Sequence, residues 1–536
     1  MIGRRDLLKA LGLGFLTLAS GCSPKAQEQF PVRVMQNSQK KGHAIFKLMA
    51  APSRFEKTDV AIIGSGISGL SAAWKFSRHG LEDYHIFELE YTAGGNCRHA
   101  VYPESEAPWA AHYLPVPTRE AKAVFELLDD MGLITGWDPS GDPIYDESQL
   151  CHDPQERLYQ FGKWTEGLFP NVASSKKDLD QAAAFYDEIH RLQDIRDSKG
   201  RRLFSIPLCY SSDDMAHLDS ISMAEYLRQK GWDSERLYWH IEYGCRDDYG
   251  TALADTSAWA ALHYFAGRAK DRPGPKDALF TWPEGNGHFV KHFLKTIGSR
   301  ITYNALVFRI SQTPDYAEID YLDSASNEVV RVQAKRVICC FPYFLRRMLL
   351  SGFSKEPLFS YCPWATANIV LDSLPQNRWG FPLCWDNVIY DSPSLGYVVD
   401  THQSITRREN GPAVITWYRA YTEEPDVKKA RWRLLHRSAE SFRREILADL
   451  SVPHPDIAKH IRSIDVMLLG HAMIRPVPGL IFSKLRQEAA IPRDRIHFAH
   501  SDLSGLSIFE EAQYHGIRAA EEILSAFGLK YTSSLL

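Results

Sequence analysis

The sequence predicts an α/β protein in which a Rossmann-like domain, assembled from separated stretches, is joined to a second domain of mixed helices and sheet. Three observations predict it. Residues 58–98 read as strand, glycine-rich turn, helix, second strand and acid; glycine punctuation and strand-like runs return over 281–342; a strand, an acid and a helix close the chain after 495.

The opening block sets the pattern. Val60-Ala61-Ile62-Ile63 is too short for a helix and is bounded by glycine, so it reads as a buried parallel strand. Gly64, Gly66 and Gly69 follow in the spacing G-x-G-x-x-G. The first allows the tight turn, the second admits a pyrophosphate to the backbone, and the third lets the next helix pack closely. Ala73 extends that packed edge, and Leu70 to His79 reads as the helix, stopped by Gly80. Its N-terminus carries about half a positive charge toward the phosphates. A second strand, His85-Ile86-Phe87, delivers Glu88 nineteen positions after Gly69, where a carboxylate accepts ribose hydroxyls. Gly94-Gly95 and Arg98 follow. Together these elements predict a dinucleotide site.

The 536 residues allow two or three domains, and a net charge of -4 gives no basic surface suited to nucleic acid. Nine cysteines show no metal-type spacing; the adjacent Cys339-Cys340 makes a poor chelate, so no metal is expected and the cysteines read as core.

In chain order, residues 1–22 form a leader. Arg4-Arg5 precede an apolar run from Ala10 to Gly21, too short for a bilayer. The arginine pair points to twin-arginine export, and Ala19-Ser20-Gly21-Cys22 to a lipoprotein box with Cys22 lipidated, which implies a periplasmic, membrane-anchored protein. The plain alternative is a single-pass anchor or an unprocessed arm. Residues 23–56 read as a tether.

Beyond Arg98, Trp109, His112 and Tyr113 lie between prolines, either lining a cavity or forming a buried aromatic corner. From Glu120 to about Asp277 amphipathic helices dominate. Within them Arg246, Asp247 and Asp248 cluster; the acidic pair suits a cationic substrate, with a solvated turn or internal ion pair as the plain alternative. TWPEGNGHF, from Thr281, restores glycine punctuation before a helix, and three strand-like runs lead to Pro342. Two further strands and one charged helix, 428–450, fill 343–464, the basic face of that helix reading as solvated. The terminal block brings the strand Ile496 to Ala499, Asp502, and a helix from about Phe509 to Leu524.

The opening motif with Glu88 and Gly94-Gly95, the WPEGNGHF segment, the strand ending VICCFP, and the terminal FAHSD with FEEAxxxG together resemble the flavin-containing amine oxidase family. That superfamily includes polyamine oxidases, L-amino-acid oxidases, protoporphyrinogen oxidase and carotenoid desaturases. The resemblance runs from about Thr58 to the end and is strongest in the two terminal blocks. It implies a discontinuous FAD-binding domain (57–115, 278–345, 465–536) and a substrate or cap domain (116–277, 346–464). It further implies that Ile63, Gly64, Gly66, Ile67, Ser68 and Gly69 hold the pyrophosphate, and that Glu88 with Leu89 takes the adenosine ribose. Gly94, Gly95, Asn96 and Arg98 would lie along the diphosphate or flavin, Val307 by the adenine, Asp502 at the ribitol, and Ile508 with Phe509 beside the ring.

Three departures stand out. His500 replaces a usual glycine, Glu511 replaces a glycine before Ala512, and the lysine many amine oxidases carry after the proline is missing from Tyr343 to Met348. With Cys97 in the wrong block for a thioether, FAD is expected to be non-covalent. The implied activity is oxidation of an amine, polyamine or amino acid, by hydride transfer with reoxidation by oxygen or another acceptor. A desaturase-like enzyme on an apolar substrate and a flavin-binding electron-transfer lipoprotein are the other readings. NAD would leave the terminal block unexplained. Position alone nominates His112, Trp282 and Arg246 as catalytic candidates.

Overall fold

The computed structural model describes residues 30–36, 39–46, 50–268, 278–353, 359–375, 380–403 and 411–536. The leader, with Cys22, lies outside them. Val32–Leu536 holds together as one compact unit.

The chain enters through β1 (Val32–Gln36), then β2 (Arg54–Ile63), α1 (Ile67–Arg78) and β3 (Tyr84–Phe87). Next come β4 (Glu156–Gln160) and β5 (Lys163–Glu166), then the helices α2 (Lys176–Asp194), α3 (Glu235–Tyr249), α4 (Ala258–Ala266) and α5 (Gly287–Ile297). The strands β6 (Ile301–Thr302), β7 (Ala305–Gln312), β8 (Ala317–Asp323) and β9 (Glu328–Cys339) follow. The second sheet then resumes with β10 (Tyr361–Leu371), β11 (Asp386–Ile389), β12 (Tyr397–Val399), β13 (Ala413–Ala420) and β14 (Ile461–Ile474). Last are β15 (Ile496–Phe498) and α6 (Phe509–Ala526).

One sheet runs β6-β3-β2-β9-β8-β7, with β15 also pairing β9. Around the cradle it is parallel: β2 pairs β3 and β9, and β9 pairs β15. Val60, Ala61 and Ile62 are fully buried because helices or loops cover both faces of such a sheet. α1 buries Ile67 through Phe76 and is covered by α6, which fits because Gly516 lies against the Ser68 backbone. Ser68 Oγ donates to Ala512 O at 2.8 Å and fixes that crossing. The second sheet has eight strands in the order β1-β14-β10-β13-β12-β11-β4-β5. Its central β10 is buried along its whole length.

The elements differ from the sequence reading in four places. The tether predicted over 23–56 contains β1, paired in parallel with β14, and the first residues of β2. The helical stretch 116–277 also contributes β4 and β5 to the second sheet. The boundary at 465 falls inside β14, a strand of that sheet. The charged helix breaks in two, Val427–Leu435 and Ala439–Leu450, because Ser438 caps the second by accepting from Ser441 N–H. Among the described residues no helix is long and apolar enough to cross a membrane, and no cluster of three or more His, Cys, Asp or Glu could hold a metal ion.

Candidate active site

The cradle forms where β2 hands over to α1. Gly94 N–H donates to Ser65 O at 2.8 Å, drawing the Gly94-Gly95 loop over the turn. A Cβ on Gly95 would come within 3.2 Å of Gly66 Cα, so two side-chain-free backbones face each other. Glu88, at the end of β3, is buried and accepts from Ser65 N–H (2.8 Å) and Ser65 Oγ (2.6 Å) on one oxygen and from Glu90 N–H (2.8 Å) on the other. An ionised carboxylate has about four acceptor positions, so it retains capacity for ribose hydroxyls. The glycine cradle, the N-terminus of α1 and this acid fit a dinucleotide.

The other sequence-predicted cofactor residues surround it. Ile63 precedes the turn, Ile67 and Ser68 open α1, and Leu89 follows Glu88. Val307 is buried on β7, whose first residue donates to Glu88 O. Asn96 Nδ2 reaches Ala472 O at 3.1 Å. The buried Arg98 donates to Gly95 O at 3.0 Å and lies 3.5 Å from Glu90. Asp502 accepts from Tyr343 N–H at 2.9 Å and from the Tyr361 hydroxyl at 2.6 Å. Burial pushes its pKa up, but His500, Tyr361 and Tyr343 outweigh this and hold it below the usual carboxylate range. Ile508 precedes α6, while Phe509 packs its ring 4.6 Å from Phe289 in the core.

The 109–113 loop, the second sheet and α3 together wall a recess of enclosed aromatic and acidic side chains. The 109–113 loop is pinned from both ends: Trp109 N–H donates to Arg98 O, and Ala111 O accepts from Asn286 N–H. Gly285 permits this closure, since a Cβ there would lie 2.5 Å from Ala111 O. The WPEGNG segment therefore positions His112 and Tyr113. Tyr113 meets Trp385 edge-on at 5.5 Å, His112 lies 5.1 Å from the Tyr418 ring, and Tyr418 donates to Asp386 at 3.3 Å. From the other side, the last turns of α3 bring Tyr243, Asp247 and Asp248, and Tyr264 of α4 packs on Gly244.

The recess is acidic and poorly solvated. Asp247 and Asp248 retain some accessible surface yet are enclosed by protein, at the end of a helix rather than on a solvated turn; among the described residues neither carboxylate has a hydrogen-bond partner. Burial, reinforced by Asp248 and opposed by Arg246, pushes Asp247 up to about 7. Burial, opposed by Arg268 and reinforced by Glu510, pushes Asp248 up to about 6. Asp386 is driven well above the usual range by burial, then by Asp247 and Glu156. Burial and these carboxylates push Tyr113, Tyr243, Tyr264 and Tyr418 upward, so all four are neutral hydroxyls at physiological pH. Glu510, in the first turn of α6, lies 3.5 Å from Arg268 and links the recess to the terminal block.

The three catalytic candidates separate. His112 lines the recess; burial lowers its pKa to about 4 and its Nε2 has no partner among the described residues. Trp282 is spent in the core, donating to Gln149 at 2.7 Å and stacking on His288 at 4.3 Å. Arg246 points out of the recess and donates to Pro393 O. The solvated turn or ion pair expected around it is instead the final turn of α3, which splays Arg246 and the two acids onto different faces. Asp386, Tyr243, Tyr264 and Tyr418 escaped the sequence reading; no local motif joins residues this far apart.

Gly250 ends α3 with φ +55° and sits where a Cβ would be 2.6 Å from Trp364 Nε1. Gly250→Ala is expected to destabilise the protein by about 2 kcal/mol through left-handed strain and overpacking. It should also weaken substrate binding by displacing Asp247 and Asp248; thermal melts and KM check both.

Residues 62–131 match the family model of the NAD(P)-binding Rossmann-like domain. No curated protein matches the chain. Among solved structures, putrescine oxidase bound to putrescine is similar at TM-score 0.61 and 16% identity, over 88% of this chain and 100% of that one. Cyclohexylamine oxidase from Brevibacterium oxydans IH-35A is similar at TM-score 0.61 and 14% identity, over 88% and 99%. A CLA-producing fatty acid isomerase from P. acnes is similar at TM-score 0.56 and 14% identity, over 88% and 98%. The chain therefore shares its fold with these two amine oxidases and contains a Rossmann-like dinucleotide-binding domain over residues 62–131.

Proposed function

We propose that the protein is an FAD-dependent oxidoreductase that oxidises a cationic amine, a polyamine or amino acid, to an imine that hydrolyses. The observation carrying this reading is the recess in which unpartnered Asp247 and Asp248, with Asp386, face four neutral tyrosines. Carboxylates attract an ammonium ion, aromatic faces add cation–π attraction, and the dry walls favour loss of the ammonium proton before C–H cleavage. FAD, held without a covalent bond by the cradle, Glu88 and Asp502, would supply the two-electron acceptor. The protein's share is to hold the amine, exclude water and orient the C–H bond.

The likeness to a fatty acid isomerase supports a second reading, an apolar or carboxylate substrate. The acidic recess opposes it, since Asp247 and Asp248, once ionised, repel a carboxylate. Export and anchoring through Cys22 complete the proposal on the strength of the leader alone. An absorbance spectrum of the purified protein tests the cofactor, and hydrogen peroxide production on adding polyamines tests the reaction. The expected result is a flavin spectrum with amine-dependent peroxide; protein with no flavin would overturn the reading.

A further inference from the structure

The arm ahead of the first Rossmann strand does more than tether. β1 pairs in parallel with β14, from Val32 opposite Ile464 to Gln36 opposite Leu468. Arg33 locks it with two 2.6 Å bonds to the Asp465 carboxylate. The described residues after it, Gln39–Phe46, then cross to the other sheet. There Lys41 Nζ donates to Asn304 Oδ1 at 2.8 Å and reaches Leu89 O at 3.4 Å. Leu89 is the residue directly after Glu88, and Asn304 N–H donates to Glu90 O, so Lys41 clasps the edge of the expected ribose site. Gly42 packs beside Leu89, and Ile45 against the core cluster that holds Ala305 and Val307. His43 lies within electrostatic reach of His471, and His471 within reach of Asp502. The arm thus touches the surroundings of Glu88 at one end of the cofactor path and approaches those of Asp502 at the other.

We infer that Val32–Gln36 and Gln39–Phe46 form a strap that retains the dinucleotide, with β1 as its anchor and Lys41 as its clasp. The inference rests on the reading of the cradle as a flavin site. Both fixings lie toward solvent: the Arg33 side chain is 65% exposed, and among the described residues Lys41 donates to uncharged acceptors rather than to a carboxylate, so the strap opens at less cost than the core. A ligand that binds only the closed form holds it shut by mass action.

The test measures flavin release from the full chain by recovery of flavin fluorescence after dilution, in the unaltered protein and in the double variant Arg33→Ala, Lys41→Ala. The strap predicts release about tenfold faster, with Lys41→Ala alone also speeding release; an equal release rate in both variants would overturn it. Should the variant fail to fold, trypsin cleavage after Lys40 and Lys41 of the unaltered chain decides. Added FAD should slow that cleavage several-fold, and cleavage indifferent to FAD would contradict the strap. Protein that takes up no FAD at all would instead remove the cradle reading beneath it, which keeps the two failures distinct.

Discussion

Asp247→Asn is expected to lower kcat/KM for a cationic amine about 100-fold while the flavin stays bound. The substitution is nearly isosteric, so the loss reports charge: an enclosed carboxylate facing an ammonium is worth on the order of 3 kcal/mol, and each 1.36 kcal/mol is tenfold. The pH dependence has a definite sign. With its pKa pushed up to about 7, Asp247 is charged above that pH and neutral below it, so kcat/KM should rise through pH 7 in the unaltered enzyme. That rise should flatten in the variant. Stability runs the other way. Unfolded, the same carboxyl titrates near 3.9, so between about pH 4 and 7 the folded state binds more protons and stability falls as pH rises. The variant, spared an enclosed charge, should melt higher than the unaltered protein at pH 8, a gain in stability at the expense of function.

Gly69→Ala is expected to abolish retention of the cofactor. Its Cβ would stand 2.0 Å from Gly64 O, a clash with backbone that no rotamer relieves. α1 must lift from β2, carrying the N–H groups of Gly66, Ile67 and Ser68 out of the cradle. Overpacking of this kind costs about 1–3 kcal/mol in stability. Gly516→Ala approaches the same helix from α6, 2.2 Å from Ser68 O, and should behave alike. Since both displace α1, the two substitutions together should cost less than their sum. Flavin-to-protein absorbance ratios and thermal melts read both effects.

The cradle was legible in the sequence because its constraints are local. A parallel strand, three glycines and an acid must follow in fixed order when one turn of backbone meets a phosphate and the next strand meets a ribose. Gly516 was legible as part of FEEAxxxG, though its reason, the Ser68 backbone behind it, needs the tertiary contact. β1 was not legible. Val32 to Gln36 alternates too briefly to signal a strand, and its partner lies more than 400 residues away. The recess was half legible. Asp247 and Asp248 stood out as an acidic pair, but a helix end and a turn share the same polar residues, and only burial in the folded chain, reinforced by Asp248 for the first and Glu510 for the second, raises their pKa values. Trp282 shows the converse: an aromatic inside a family-like segment whose indole N–H is consumed by Gln149.

The most direct test of the central claim, that the tyrosine and aspartate recess presents a cationic amine to a flavin, is anaerobic stopped-flow reduction with matched substrates. Polyamines, amino acids and long-chain fatty acids of similar length would be mixed in turn with the purified protein, and the loss of flavin absorbance followed. Bleaching by one of the amine classes, with fatty acids inert and the rate falling below pH 7, is the predicted result. Bleaching by a fatty acid while every amine is inert would contradict it.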